Sequence, residues 1–148
     1  MKKPHRIPFT IVLLAIFAGC ASVPMASRET DKVAKQFTVA AGQANLYVYR
    51  NESIGGAIKM GVYVDDKPIG QTAAGTYLVV SLTPGVHKIR GHAENNSLLD
   101  LNAQAGQNYF VWQEVKMGFL SARNNLQLVD EATGKKGVNE CKLAAAGQ

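Results

Sequence analysis

The amino-acid sequence predicts an all-β protein: an antiparallel β-sandwich of about seven short strands, led by one short helix. Two observations carry this. From Asn45 onward, short β-branched and aromatic runs alternate with Gly, Pro, Asn and Asp clusters, the punctuation of hairpins. No long segment of helical period separates those runs, so the crossover helices of a doubly wound α/β sheet are missing.

The chain opens with a different pattern. Lys2, Lys3 and Arg6 make a basic start, Phe9 to Phe17 an apolar run, and Ala18 and Gly19 a small pair before Cys20. These are the three parts of an export signal. The apolar run is about half of the roughly 20 residues a transmembrane helix needs, and Pro8 stands at its edge. The stretch resembles a bacterial lipoprotein signal, with Phe17 where that class prefers Leu. The resemblance implies a diacylglyceryl group on the Cys20 thiol and cleavage just before it; an ordinary secretory signal cut nearby is the alternative. Residues 1–19 then form the signal, 20–28 a lipidated N-terminus and tether, and 29–148 one β-sandwich domain. In such lipoproteins an Asp after the cysteine commonly retains the protein at the inner membrane. Ala21 and Ser22 follow here, so in a two-membrane bacterium the expected address is the periplasmic face of the outer membrane.

Within the domain, Ser27 or Thr30 can cap a helix from Glu29 to about Phe37, with Val33, Ala34 and Phe37 on one face. Gly42 marks its end. The first strand is Leu46 to Arg50. Leu46 and Val48 share one face and Tyr47 and Tyr49 the other, so both faces are expected to be covered. Met60 to Val64 follows, then a tight turn at Asp65 to Pro68 and a short return through Gln71. Thr76 to Leu82 alternates cleanly. Thr83-Pro84-Gly85 reverses the chain into Val86 to Ala93. Leu98 to Ala103, Asn108 to Val115 and Asn125 to Val129 complete the strands, Lys116 to Asn125 reads as a long loop, and Glu131 to Leu143 is polar and in part helical.

Charge and cysteine count narrow the function classes. Lys2, Lys3 and Arg6 belong to the signal, so the mature chain keeps 13 of the 16 basic residues against 11 acidic ones. No Lys/Arg run marks a phosphate groove, and nucleic acid is not an expected partner. With Cys20 assigned to lipid, Cys141 is the odd cysteine in an oxidising compartment. It reads as a buried thiol packing as a small hydrophobe, or as the site of an intermolecular disulfide giving a dimer.

Leu46-Tyr47-Val48-Tyr49-Arg50, Val62-Tyr63-Val64-Asp65 with Gly70 after it, Tyr77, Pro84-Gly85-Val86-His87, and Gly106 before Tyr109 resemble the proteobacterial lipoprotein domain of unknown function DUF2846. The likeness covers about Gln43 to Leu143, with Asp65-Asp66 where that family often has Asp-Gly and Phe110 in place of a second Tyr. The Pro-Gly-x-His reversal is also similar to PEGA-type surface modules. The resemblance implies a PEGA-like or transthyretin-like sandwich and carries no activity with it.

The residues themselves offer little chemistry. His87 and His92 lie on opposite faces of one strand and cannot share a metal; His87 reads as a partner of the Pro-Gly turn. A histidine beside a carboxylate in an open cleft would support an enzyme. Asp65 and Asp66 are turn residues. No serine stands in a nucleophile elbow, and no glycine loop cradles a phosphate. No metal, cofactor or catalytic residue is therefore expected. Tyr47, Tyr49, Tyr63, Tyr77, Tyr109 and Trp112 read as core, or as a stacking surface. The apolar loop with Met117, Phe119 and Leu120 is the candidate contact for a partner or membrane, or a plug for the open end of the sandwich. The expected function is a non-catalytic, lipid-anchored envelope module binding a protein or glycan; the alternative is a small-ligand carrier or an inhibitor of an envelope-acting hydrolase.

Overall fold

The computed structural model describes residues 22–147; Cys20 and the signal stretch lie outside the described residues. Nine strands and two helices follow in the order α1 Arg28–Ala34, β1 Ala44–Arg50, β2 Met60–Val64, β3 Lys67–Thr72, β4 Thr76–Leu82, β5 Gly85–His92, β6 Asn96–Ala103, β7 Asn108–Met117, β8 Ala122–Val129, α2 Glu131–Asn139 and β9 Lys142–Leu143. They form a five-stranded sheet, β8-β7-β1-β4-β9, and a four-stranded sheet, β3-β2-β5-β6. The all-β sandwich class stands. Among the described residues the strands number nine rather than about seven, and β1 with β7 and β4 with β9 pair in parallel.

Strand β1 is buried at every residue. Leu46 and Val48 join Val62, Leu78, Ile89 and Val111 in the core between the sheets. Tyr47 and Tyr49 point the other way and join Tyr77, Phe110, Val138 and Cys141 in a second cluster. Both helices contribute to that cluster's cover. Tyr47 Oη donates to the Ala34 carbonyl at 2.9 Å, and Tyr77 Oη donates to Asp31 Oδ1 at 2.9 Å. Burial opposes ionisation of Asp31, yet hydrogen bonds from Lys35, Tyr77 and the Leu143 N–H outweigh it and hold the carboxyl below its ordinary range.

Helix α2 reaches the sheet because of its glycines. A Cβ on Gly134 would lie 2.1 Å from Phe110 Cγ, and one on Gly137 2.1 Å from Tyr49 Cε2. The same glycines lower helix propensity, yet the helical part expected within Glu131 to Leu143 is present as α2. Asp130 caps it, its side chain accepting from the Thr133 N–H at 2.9 Å.

Four expectations need correction. Lys116 to Asn125 is mostly strand: β7 and β8 stay in register from Phe110↔Val129 out to Met117↔Ala122. Polar residues occupy both faces there, so no apolar alternation marks it. The expected tether is docked from Val23, which is buried; Met25 bridges Ala144, and the Ala26 N–H donates to the Leu143 carbonyl at 3.0 Å. Helix α1 ends at Ala34, and Phe37 lies beyond it at φ 56°, its ring 5.3 Å from that of Tyr47. Val33, placed on the packing face by its spacing, is 64% exposed because that short helix rests on the sheet through Ala34.

Replacing Gly137 by Ala tests the close approach. Helix propensity alone favours Ala by about 1 kcal/mol, while overpacking against the Tyr49 ring costs about 1–3 kcal/mol. Urea titration is expected to show a net loss of stability with increased thiol-reagent labelling of Cys141; an unchanged or higher midpoint contradicts the packing argument.

Candidate functional site

Two constellations merit a functional reading, and they lie at opposite ends of the sandwich. At one end, the β2–β3 turn holds Asp65 and Asp66 at φ 49° and 63°, the left-handed pair a two-residue hairpin turn requires. Asp65 Oδ2 lies 2.7 Å from His87 Nδ1, and Asp65 Oδ1 accepts the Lys88 N–H at 2.9 Å. His87 Nε2 lies 2.7 Å from the Thr83 carbonyl. A carbonyl can only accept, so Nε2 carries a proton; the carboxylate favours a second proton on Nδ1. Hydrogen bonding to Asp65, then to Thr83, raises the His87 pKa, and the His87 bond lowers that of Asp65. His87 does stand beside a carboxylate, but both its nitrogens are engaged in joining two turns, with none free as base or ligand.

The other end is built by three loops. Arg50 closes β1 with a fully buried guanidinium whose Nη1 donates to the Ile58 carbonyl at 2.6 Å and whose Nη2 donates to the Gly55 carbonyl at 2.6 Å. These bonds fold the chain after β1 against β7. Glu52 Oε2 accepts the Val115 N–H at 2.8 Å from the same loop. Burial lowers the Arg50 pKa, with the nearby Glu52 charge opposing the shift.

Beyond the Arg50 level the β7–β8 hairpin continues to a four-residue connection. Glu94 clamps it: Oε1 accepts the Phe119 N–H at 2.9 Å, and Oε2 accepts those of Leu120 at 2.8 Å and Ser121 at 2.6 Å. These three donors hold the Glu94 carboxyl below its ordinary range. The loop is thus ordered while its apolar side chains face outward: Met117 is 89%, Phe119 93% and Leu120 87% exposed. It does not plug the sandwich. Ile54, 64% exposed, lies across a groove of about 390 Å³ from Phe119 and Leu120.

Residues 40–125 match the family described as protein of unknown function, DUF2846, a span running from before β1 into β8 and including the hairpin tip. The chain belongs to the DUF2846 family. An uncharacterized protein of Haemophilus influenzae is 38% identical over 133 residues, covering 88% of this chain and 79% of that relative. No solved structure matches the chain. The DUF2846 span leaves out both helices, so the layer over the second cluster is built from sequence outside it.

The predicted residues fall into place unevenly. Met117, Phe119 and Leu120 are together at one tip. Tyr47, Tyr49 and Tyr77 are buried in the second cluster and form no open stacking surface. Tyr63 instead carries the Arg90 guanidinium 3.8 Å from its ring centroid. Cys141 is buried, and burial pushes its thiol pKa up to about 12; a disulfide to another copy requires that segment to open. Among the described residues no group of three or more His, Cys, Asp or Glu side chains converges as a metal site, and no helix is long and apolar enough to cross a membrane. Arg50, Glu94 and Ile54 were missed. A charged residue ending a strand apolar on both faces was the available sign for Arg50, whereas nothing in the local sequence pairs Glu94 with a loop 25 residues away.

Two predictions follow from this geometry. The raised His87 pKa makes its stabilisation full below the unfolded value near pH 6.5 and lost as pH rises through the folded value. The lowered Asp65 pKa keeps the partner charged down to acidic pH. A His87→Gln variant is therefore expected to melt below wild type at about pH 5.5 and to approach it at about pH 9; a constant gap contradicts the ion pair. Glu94→Ala is expected to speed amide hydrogen exchange of Phe119, Leu120 and Ser121 by about tenfold or more, without a comparable fall in global stability.

Proposed function

We propose that this protein is a lipid-anchored envelope module, held by an acylated Cys20 and acting by binding or organisation rather than by catalysis. The observation that carries the reading is the N-terminal pattern: a basic start, an apolar run too short to span a bilayer, and Ala18-Gly19-Cys20 at its close. The folded chain supports it. Val23 is buried and the Ala26 N–H bonds the Leu143 carbonyl, so an acyl group on Cys20 would sit within a few residues of the packed domain. Ala21 and Ser22 rather than Asp after the cysteine favour the outer membrane's periplasmic leaflet in a two-membrane host.

The energetics of such an anchor are decisive. Each buried CH₂ contributes about 0.8 kcal/mol, so one acyl chain holds marginally and two or three hold lastingly. The non-catalytic part of the proposal draws on the His87 geometry, where both ring nitrogens serve turns.

Fractionation of cells making the full chain tests this. Wild type is expected in the membrane pellet, and globomycin is expected to leave the larger, uncleaved form. Cys20→Ser is expected to shift the membrane-bound share down by about tenfold or more. A wild-type protein that stays soluble and unshifted by globomycin overturns the proposal.

A further inference from the structure

We infer that the hairpin tip carrying Met117, Phe119 and Leu120 seats in the lipid surface beside the anchor, fixing the domain with this end toward the bilayer. The inference rests on the Cys20 anchor proposed above and adds a second, structural contact to it.

The first argument is position. β1 and β7 run parallel with Tyr49 beside Trp112, so β7 continues past the end of β1 for several residues, about 13 Å of strand. β4 begins at the same end, Arg50 pairing with Thr76. Just before it lies the Ala73–Gly75 turn, where the Gly75 N–H donates to the Arg50 carbonyl at 2.8 Å. Ser22 and Val23 line a cavity with Ala73 and Ala74. A Cβ on Gly56 would stand 4.0 Å from that of Ala74, and one on Gly55 3.2 Å from Val115 Cγ1 and 3.5 Å from Ala122 Cβ. These neighbours place Ser22 and the base of the tip at the same end of the sandwich. Cys20 precedes Ser22 by two residues, about 7 Å of chain at full extension, so an acylated Cys20 brings this end of the sandwich to the membrane.

The second argument is chemistry. Met117, Phe119 and Leu120 are 87–93% exposed and rim the groove they share with Ile54, an apolar surface that fluid lipid accepts without a complementary pocket. Its Phe119, Leu120 and Ser121 N–H groups are already satisfied by Glu94, so they carry no unmet hydrogen bond into the interface. Lys116, its Nζ bonded to Glu114 Oε1, pairs with Arg123 one step behind Met117 and Ala122, so a seated tip would bring the Arg123 guanidinium to the height of headgroup phosphates.

The test uses full-length protein made with its signal, purified from membranes and reconstituted in phosphatidylethanolamine and phosphatidylglycerol vesicles, a fraction of whose acyl chains are brominated. Wild type, with Trp112 as its single Trp, sets the background. Phe119→Trp places an indole at the tip, and Val86→Trp places one at an exposed site on the opposite end. The Phe119→Trp signal above background is expected to fall by about half, as for a side chain about 5–10 Å below the headgroup boundary, with the Val86→Trp signal unquenched. Flotation of the vesicles reads the anchor separately. Protein that floats without quenching at position 119 overturns the tip and leaves the anchor. Equal quenching at positions 119 and 86 overturns the orientation. Protein that does not float overturns the anchor, and the tip contact with it.

Discussion

Everything else in this fold depends on strand β1 being buried along its whole length. A strand covered on both faces belongs in the middle of a layered structure, and β1 lies there, between β4 and β7 and between two separate clusters of apolar side chains. Leu46 and Val48 draw the second sheet onto one face. Tyr47 and Tyr49 need cover on the other, and their neighbours Tyr77 and Phe110 make that need larger than one short helix can meet. The segments on either side of the sandwich both come back to meet it: α1 through Asp31 and Ala34, α2 through Gly134 and Gly137. The phenolic hydroxyls set the manner of closure, since a buried Tyr is tolerated only where its O–H finds an acceptor, and Ala34 and Asp31 supply them.

The burial of β1 also determines what happens where it ends. Arg50 is the last residue of the strand and is as buried as the rest, so its charge must be met by local acceptors. The carbonyls of Ile54, Gly55 and Ile58 answer it, and their convergence folds the following loop onto β7. That loop supports the base of the β7–β8 hairpin through Glu52 and Val115. The order of the exposed tip can thus be followed back to a guanidinium inside the sheet: a buried charge is costly, and the backbone groups recruited to satisfy it shape the surface above.

Much of the architecture was legible because burial leaves a period. β1, β2, β4 and the Pro84-Gly85 reversal read directly from alternation and turn residues, and the Asp65-Asp66 turn adopts left-handed backbone that Asp tolerates better than most. Where polar residues fill both faces the period vanishes, and Lys116 to Asn125 read as loop although Asn124 is buried and bonded to Asn95. Helix α2 was legible only as the helical part of a polar segment, its bounds blurred for a related reason: glycines that a tight helix-on-sheet contact requires are the residues that propensity counts against a helix. At the tip, Met117, Phe119 and Leu120 were legible as an apolar loop. Their exposure was not, because it depends on Glu94, whose pairing with three amides is a fact of the tertiary structure alone.

That dependence bears on why the tip is exposed at all. Single apolar residues on a surface are ordinary, and Val33, Val86 and Leu98 call for no explanation. The tip differs in two respects. Its three side chains are the most exposed of the large hydrophobics among the described residues, and Ile54 stands across the groove from them. Moreover, the backbone beneath them is held in place rather than loose, with a carboxylate spent on three N–H groups that water could have satisfied. A loop exposing Phe and Leu because it had failed to pack would need no such clamp. The clamp holds these side chains out from the domain, and at the end of the sandwich where the chain leads back to Cys20 that arrangement makes physical sense if the environment there is not water.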